Sequence, residues 1–297
     1  MFIQSTEIID TFAEAFKMWG SRFVITAETA KWALAAGRSV TGFATSVIGC
    51  KCEAGIESEL ASDQTPDGRP GISVLLFGFS PDGLGKRLVE RIGQCVMTCA
   101  TTACYNGLEG GETVVVGGKL RYFGDGYQAS KLVGERRLWR IPVMEGEFLI
   151  DESFGVQPAV GGGNILILGR DAKSTLEAAE AAADAMRIPG VILPFPGGVV
   201  RSGSKPGSRY KALPASTNDA YCPSLRGSAP KTSLPEEVRC VLEIVIDGLS
   251  ESLVRESMRR GIRAAARDGI VQISAGNYGG NLGQFKIRLN ELVQGAA

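Results

Sequence analysis

The chain is expected to fold as an α/β (α+β) protein of two ferredoxin-like split βαβ lobes, residues 1–147 and 148–297. Three observations carry that expectation. Apolar runs of strand length alternate with alanine-rich or amphipathic segments of helix length. The order β-α-β, β-α-β occurs twice along the chain. A glycine-bearing break at 144–163 separates the two series. A length of 297 residues suits two cores of ordinary size. A single doubly wound parallel sheet is the alternative, but no G-x-G-x-x-G follows the first strand.

Taken in order, residues 10–18 place Phe12 and Phe16 four apart behind Asp10, which reads as a short amphipathic helix with an N-cap. Residues 22–26 read as a strand, 29–40 as an alanine-rich helix and 45–48 as a second strand. The segment 62–71 is a loop, dense in Pro, Gly and Asp. Residues 72–79 form a buried strand, and Ser80-Pro81 supplies a cap and a first-turn proline. The helix that follows carries Leu84, Leu88, Ile92 and Val96 in one stripe. Residues 113–116, 119–123 and 136–143 read as strands. Past the break the series restarts with a strand at 164–168, a helix at 173–186, and strands at 191–193 and 238–246. A helix capped by Ser250 and a last strand at 270–274 complete it.

Composition excludes several kinds of chemistry. Lys and Arg total 32, equal to Asp and Glu, so there is no basic field to attract nucleic acid or an anionic membrane. Ferredoxin-like topology is shared with RNA-recognition modules, but no aromatic RNA-binding pattern lies on a central strand. The N-terminal residues lack a signal-peptide pattern and no apolar run is long enough to span a bilayer, so the expected location is the cytoplasm. There are 7 cysteines and no C-x-x-C pair; they pack as reduced thiols or, alternatively, bind metal. Histidine is absent altogether. That removes Ser-His-Asp and Cys-His catalysis and any His-ligated zinc, leaving carboxylates, lysines and thiols to move protons.

The stretch 194–210 holds four glycines, three serines, three prolines and three cations in seventeen residues. Read alone it is a solvated loop or a ligand-facing one. Gly198 and Gly203 have phosphate-loop spacing, but Ser204-Lys205 stands where Lys-Ser or Lys-Thr is required. On the 238–246 strand, Glu243 sits among apolar neighbours on both faces, which raises a carboxylate pKa unless a cation pairs with it. Three further segments, 66–71 with Arg69, 91–102 with Gln94, and 272–280 with Asn277 and Tyr278, have ligand-facing composition. Each also reads as turn or cap chemistry.

Ten strings, in order from Asp10-Thr-Phe-Ala-Glu-Ala-Phe16 to Ile273-Ser-Ala-Gly-Asn-Tyr-Gly-Gly280, resemble the formylmethanofuran:tetrahydromethanopterin formyltransferase family. Among them are Thr65-Pro-Asp-Gly-Arg-Pro-Gly71, Glu90-Arg-Ile-Gly-Gln-Cys95, Pro194-Phe-Pro-Gly-Gly198, Ser202-Gly-Ser-Lys205 and Glu243-Ile-Val-Ile246. The resemblance implies two ferredoxin-like lobes, a homotetramer built as a dimer of dimers, and a cleft near the dimer contact. It implies formyl transfer between methanofuran and N5 of tetrahydromethanopterin, both acting as carrier co-substrates, without metal. Glu243 is then the acid/base, and Ser202, Ser204 or a loop N–H stabilises the oxyanion. Carrier-binding candidates come from the same strings: Phe12 and Glu14 from the first, Arg69, Gln94, then Gly197, Gly198 and Lys205, and finally Asn277 and Tyr278.

Departures point towards a bacterial member. Archaeal relatives typically carry lysines at the positions of Asn281 and Gln284 and histidines at those of Arg288 and Asn290. Cys50-Lys51-Cys52 replaces a Cys-Pro-Ala string, and Ala100 replaces a proline. The implied partners include the other subunits of a formyltransferase/hydrolase complex. The alternative is a non-catalytic pterin-binding or scaffold subunit, and the presence of Glu243 argues against it.

Overall fold

The computed structural model describes residues 1–228, 232 and 234–294. The chain divides into two compact units, Met18–Ala159 and a discontinuous one of Met1–Lys17 with Val160–Ala297. The boundary expected from sequence is a single one at 147/148, whereas by contacts one unit takes in residues 1–17 as well as 160–297. Two long strands, Phe12–Thr26 and Ser153–Gly169, each run through both units, so the chain passes between them twice. Both units are mixed α/β.

In the Met18–Ala159 unit the sheet order is Glu53–Leu60, Gly71–Gly78, Phe12–Thr26, Ala103–Asn106, with Gly146–Asp151, Arg136–Val143 and Ala129–Val133 added at one side. The helices Ala30–Thr41 and Pro81–Arg91 connect its first four strands in the order β-α-β-β-α-β. Their buried faces close a core that includes Phe23, Leu76, Leu88 and Phe154. Ser80 accepts from the Gly83 N–H at 3.2 Å and Pro81 opens the helix, as its sequence requires.

The other unit repeats the plan. Its order is Val191–Ile192, Cys240–Gly248, Ser153–Gly169, Ile270–Ser274, and the helices Ala172–Met186 and Glu251–Ala265 make the connections. Ala178, Ala179, Ala182, Ala183 and Met186 on the first of these helices meet Val254, Met258 and Ile262 on the second over Ile165, Ile167, Ile244 and Ile246. Asp171 and Ser250 cap them, accepting from Ser174 N–H at 2.8 Å and Leu253 N–H at 3.3 Å.

Four segments depart from the sequence reading. Residues 10–18 are not a helix but the start of Phe12–Thr26: Ala13 and Ala15 are buried in the core while residues 12–15 pair with Phe285–Arg288. Residues four apart share a face in a strand as well as in a helix, so the Phe12/Phe16 spacing does not separate the two. The segment 45–48 is not a strand but runs into a short helix, Val47–Cys50, and the second strand is the polar-looking Glu53–Leu60, which occupies the end of the sheet order. Residues 119–123 form the helix Gly117–Leu120 and a 3-10 turn, Arg121–Gly124. The start of that helix requires glycine, because a Cβ on Gly117 would stand 2.2 Å from the Asp151 carbonyl oxygen. The expected break at 144–163 is strand almost throughout, Gly146–Asp151 followed by Ser153–Gly169. Its glycine cluster is a β-bulge between Val160 and Gly163, held by the Gly162 N–H donating to Asp247 at 2.9 Å.

Candidate active site

Glu243 lies mid-strand in Cys240–Gly248, opposite Leu166. Its odd-numbered neighbour Val241 faces a small apolar cluster with Leu166, Leu168, Leu234 and Val238, while Ile244 and Ile246 point to the helices. The strand therefore has apolar packing on both faces, as its sequence requires. On its other side the glycine-rich loop docks directly onto Glu243. The Val200 N–H donates to the Glu243 carbonyl at 2.7 Å, and the Glu243 N–H donates back to the Val200 carbonyl at 2.9 Å. This two-bond bridge fixes the residues that follow, Arg201, Ser202 and Gly203, over the carboxyl.

A cleft of about 540 Å³ opens there, lined by Glu243, Ser202, Gly203, Asn218 and Tyr221 among others. Gly203 has φ +53, and a Cβ built on it would be 3.9 Å from Glu243 Oε2 and 3.7 Å from Asn218 Cβ. Burial pushes the Glu243 carboxyl up to about 7. Such a group is half ionised near neutrality, so it both takes and gives a proton. Gly203→Ala is expected to cost about 1–2 kcal/mol from the left-handed backbone and to narrow the approach to the carboxyl, measurable as a lower melting temperature together with a raised KM.

The 277–283 loop of the same unit is built around Glu14. That carboxylate is 0% exposed. It accepts from the N–H groups of Tyr278 at 2.8 Å, Leu282 at 3.1 Å, Gly283 at 2.7 Å and, more closely still, Gly280. Burial alone raises its pKa, but the four backbone donors outweigh it and hold the carboxyl below the usual range. Asn277 ties the loop further, donating to Thr11 Oγ1 at 3.0 Å and the Phe12 carbonyl at 3.3 Å. Tyr278 is half-buried. Burial raises its phenol pKa, with the negative charges of Glu243 and Glu14 adding to the shift, so the phenol stays neutral.

The sequence candidates thus separate. Ser202 shares the cleft with Glu243, whereas Ser204 pairs with Thr217 in the small hairpin of Ser204–Pro206 and Ala215–Thr217. Lys205 is ion-paired with Asp219. Gly197 and Gly198 form the turn that launches the loop, at φ +66 and +85, with Gly198 packed beside Leu193. Glu14 has both oxygens engaged by backbone donors and Asn277 braces the same loop, so both act as supports of the 277–283 loop. Phe12 is half-buried with Lys286 Nζ 5.9 Å from its ring centroid.

Arg69 and Gln94 belong to the Met18–Ala159 unit. Arg69 bonds Asp67, the Thr101 carbonyl at 2.6 Å and Thr26 Oγ1 at 3.1 Å, so its guanidinium braces the 62–71 loop rather than presenting a free charge. Gln94 is exposed on a single π-helical turn, Ile92–Val96. Asn218 and Tyr221 escaped the sequence reading. They follow the hairpin in a stretch without apolar periodicity, and only its docking beside Gly203 brings them to Glu243.

A loop fixed at a carboxyl that titrates near neutrality, with hydroxyl and amide donors around it, suits a group-transfer enzyme that moves protons without histidine. Comparison with known proteins gives the particular family. A family model described as formylmethanofuran-tetrahydromethanopterin formyltransferase matches residues 1–143, and one described as its proximal lobe matches residues 146–292. The formylmethanofuran–tetrahydromethanopterin formyltransferase of Methylococcus capsulatus is 56% identical over 99% of this chain and 100% of that protein. A subunit of the formyltransferase/hydrolase complex of Methylorubrum extorquens is 53% identical, covering 98% of this chain and 97% of that one. Among solved structures, the formyltransferase/hydrolase complex of Methylorubrum extorquens with methylofuran superimposes with a TM-score of 0.96 at 52% identity over 99% of each chain. The Methanosarcina barkeri formyltransferase gives 0.92 at 46% identity, over 98% of this chain and 100% of that one. The chain belongs to the formylmethanofuran:tetrahydromethanopterin formyltransferase family, and it is an enzyme.

Proposed function

We propose that this chain transfers a formyl group between the amine of methanofuran and N5 of tetrahydromethanopterin, with Glu243 as the proton relay. The observation that carries the relay is the burial of Glu243 in a cleft whose loop is bridged to its own backbone. The attacking nitrogen adds to the formamide carbon and its proton passes to the Glu243 carboxylate. The resulting tetrahedral oxyanion takes hydrogen bonds from the Ser202 hydroxyl, the Gly203 N–H or the Asn218 amide. Glu243 then returns the proton to the departing nitrogen as the C–N bond breaks. Protonation and bond changes balance, and the enzyme ends as it began.

Each unit reads as a ferredoxin-like lobe, supported by the matching strand orders and the β-α-β-β-α-β connections. The carriers, a homotetramer of paired dimers, association with the other subunits of a formyltransferase/hydrolase complex, and a cytoplasmic location complete the proposal. No described helix is long and apolar enough to cross a membrane.

The test is formyl transfer by the purified chain, followed spectroscopically with formyl-tetrahydromethanopterin and methanofuran. Ser202→Ala and Asn218→Ala are each expected to lower kcat, by about a hundredfold for whichever supplies the principal oxyanion donor, while Ser204→Ala leaves kcat within about threefold. Pterin binding without turnover would instead mean that transfer needs the other subunits of the complex.

A further inference from the structure

In the Met18–Ala159 unit a second set of reactive groups gathers away from Glu243 in sequence and unused by formyl transfer. Cys50 ends the helix Val47–Cys50, Lys51 takes the left-handed conformation at φ 69, and Cys52 directly precedes the strand Glu53–Leu60. Cys50 is half-buried and Cys52 fully buried. The Cys50 sulfur lies 3.7 Å from the Thr45 hydroxyl. Arg91 Nε donates to the Cys52 sulfur at 3.1 Å, and its other nitrogens donate to the carbonyls of Val40 at 2.7 Å, Gly42 at 2.9 Å and Phe43 at 2.8 Å. The guanidinium is thus clamped to the backbone of the loop that leads to both thiols.

With one left-handed residue between them, the Cα atoms of Cys50 and Cys52 are about 5–6 Å apart, within the span of a disulfide. The two thiols differ in kind. Burial opposes ionisation of Cys50, but the backbone N–H groups of Ser46 and Thr45, the Thr45 hydroxyl and the Arg91 charge outweigh it and lower its pKa. Burial pushes the Cys52 thiol up, with Arg91 opposing. A partly exposed thiol whose ionisation is favoured, beside a shielded thiol that is already in contact with a cation, is the asymmetry that a two-step exchange uses.

We propose that Cys50, Cys52 and Arg91 form a thiol–disulfide exchange site that accepts a small soluble disulfide. The Cys50 thiolate attacks one sulfur of that disulfide, forms a mixed disulfide and releases the first small thiolate. Cys52 gives its proton to that released thiolate, and Arg91 stabilises the Cys52 thiolate as it forms. Its sulfur then attacks that of Cys50 and displaces the second small thiolate. Two protein thiols are oxidised to one disulfide, the small disulfide is reduced to two thiols, and no other oxidant is needed.

Oxidised glutathione is the probe, applied to the folded full-length chain and read by intact mass and peptide mapping. The wild type is expected to become two hydrogens lighter, with the bond mapped to Cys50 and Cys52 and no retained glutathione. Cys52→Ala is expected to stop at a glutathione adduct on Cys50, and Cys50→Ala to leave Cys52 unmodified. A stable adduct on Cys50 in the wild type, or reaction at Cys95 or Cys99 ahead of Cys50, would overturn the assignment. The wild-type arm decides the matter even where a buried Cys52 variant folds poorly.

Discussion

Glu243→Gln is expected to lower turnover by about a hundredfold to ten-thousandfold while making the protein more stable above neutral pH. The two effects share one cause. A carboxyl that titrates at about 7 in the folded chain and near 4.5 when free binds its proton more tightly folded than unfolded. Rising pH between those values therefore withdraws stability, by about 3 kcal/mol in all. Glutamine carries no charge to desolvate and escapes that loss. Thermal melts of the two proteins should coincide near pH 4.5 and separate in favour of the variant by pH 8. The kcat–pH profile of the wild type should show an inflection near 7 that the variant lacks. Equal melts at pH 8 would mean that Glu243 is not buried as a charge, and the relay would lose its physical basis.

Glu14→Ala is expected to act in the opposite direction on stability. It leaves the N–H groups of Tyr278, Gly280, Leu282 and Gly283 without their acceptor in a buried site, at a cost of about 3–5 kcal/mol. Because its pKa is depressed in the folded chain, its contribution is present above about 4.5 and is lost as pH falls further. Urea unfolding at pH 7 and pH 3 reads this directly: the gap between wild type and variant should be larger at the first than at the second. The loop that presents Tyr278 would also loosen, so KM should rise more than kcat falls. An unchanged urea midpoint at pH 7 would show that the four donors find water instead.

These two carboxylates also mark how far the sequence could be read. Glu243 was legible because a strand that is apolar on both faces makes a carboxylate conspicuous. Glu14 was visible only as part of a motif, and its work on a loop more than 260 residues later depends on pairing between residues 12–15 and Phe285–Arg288 that no local pattern encodes. The main helices were readable from caps and apolar stripes, and Ser80, Asp171 and Ser250 act as their types predict. The misread elements share a different trait. Glu53–Leu60 looks polar because it occupies the end of the sheet order, and the glycines at 161–163 look like a linker although they are needed where a helix side chain presses on a strand. A Cβ on Gly163 would stand 2.5 Å from Val254 Cγ1. Asn218 could not be found at all from sequence, since its place beside Glu243 depends on how the hairpin folds back.

The interleaving of the two units has a consequence for the order in which the protein is made. Met18–Ala159 is contiguous, so it can close as soon as it leaves the ribosome. Residues 1–17 cannot. Thr6–Ile8 waits for Ile270–Ser274, and residues 12–15 wait for Phe285–Arg288. At ordinary translation speeds that interval is about 10–50 s, during which residues 12–15 lack the strand they pair with in the folded chain. Synthesis of residues 270–288 therefore supplies the strands against which residues 6–8 and 12–15 finally pair.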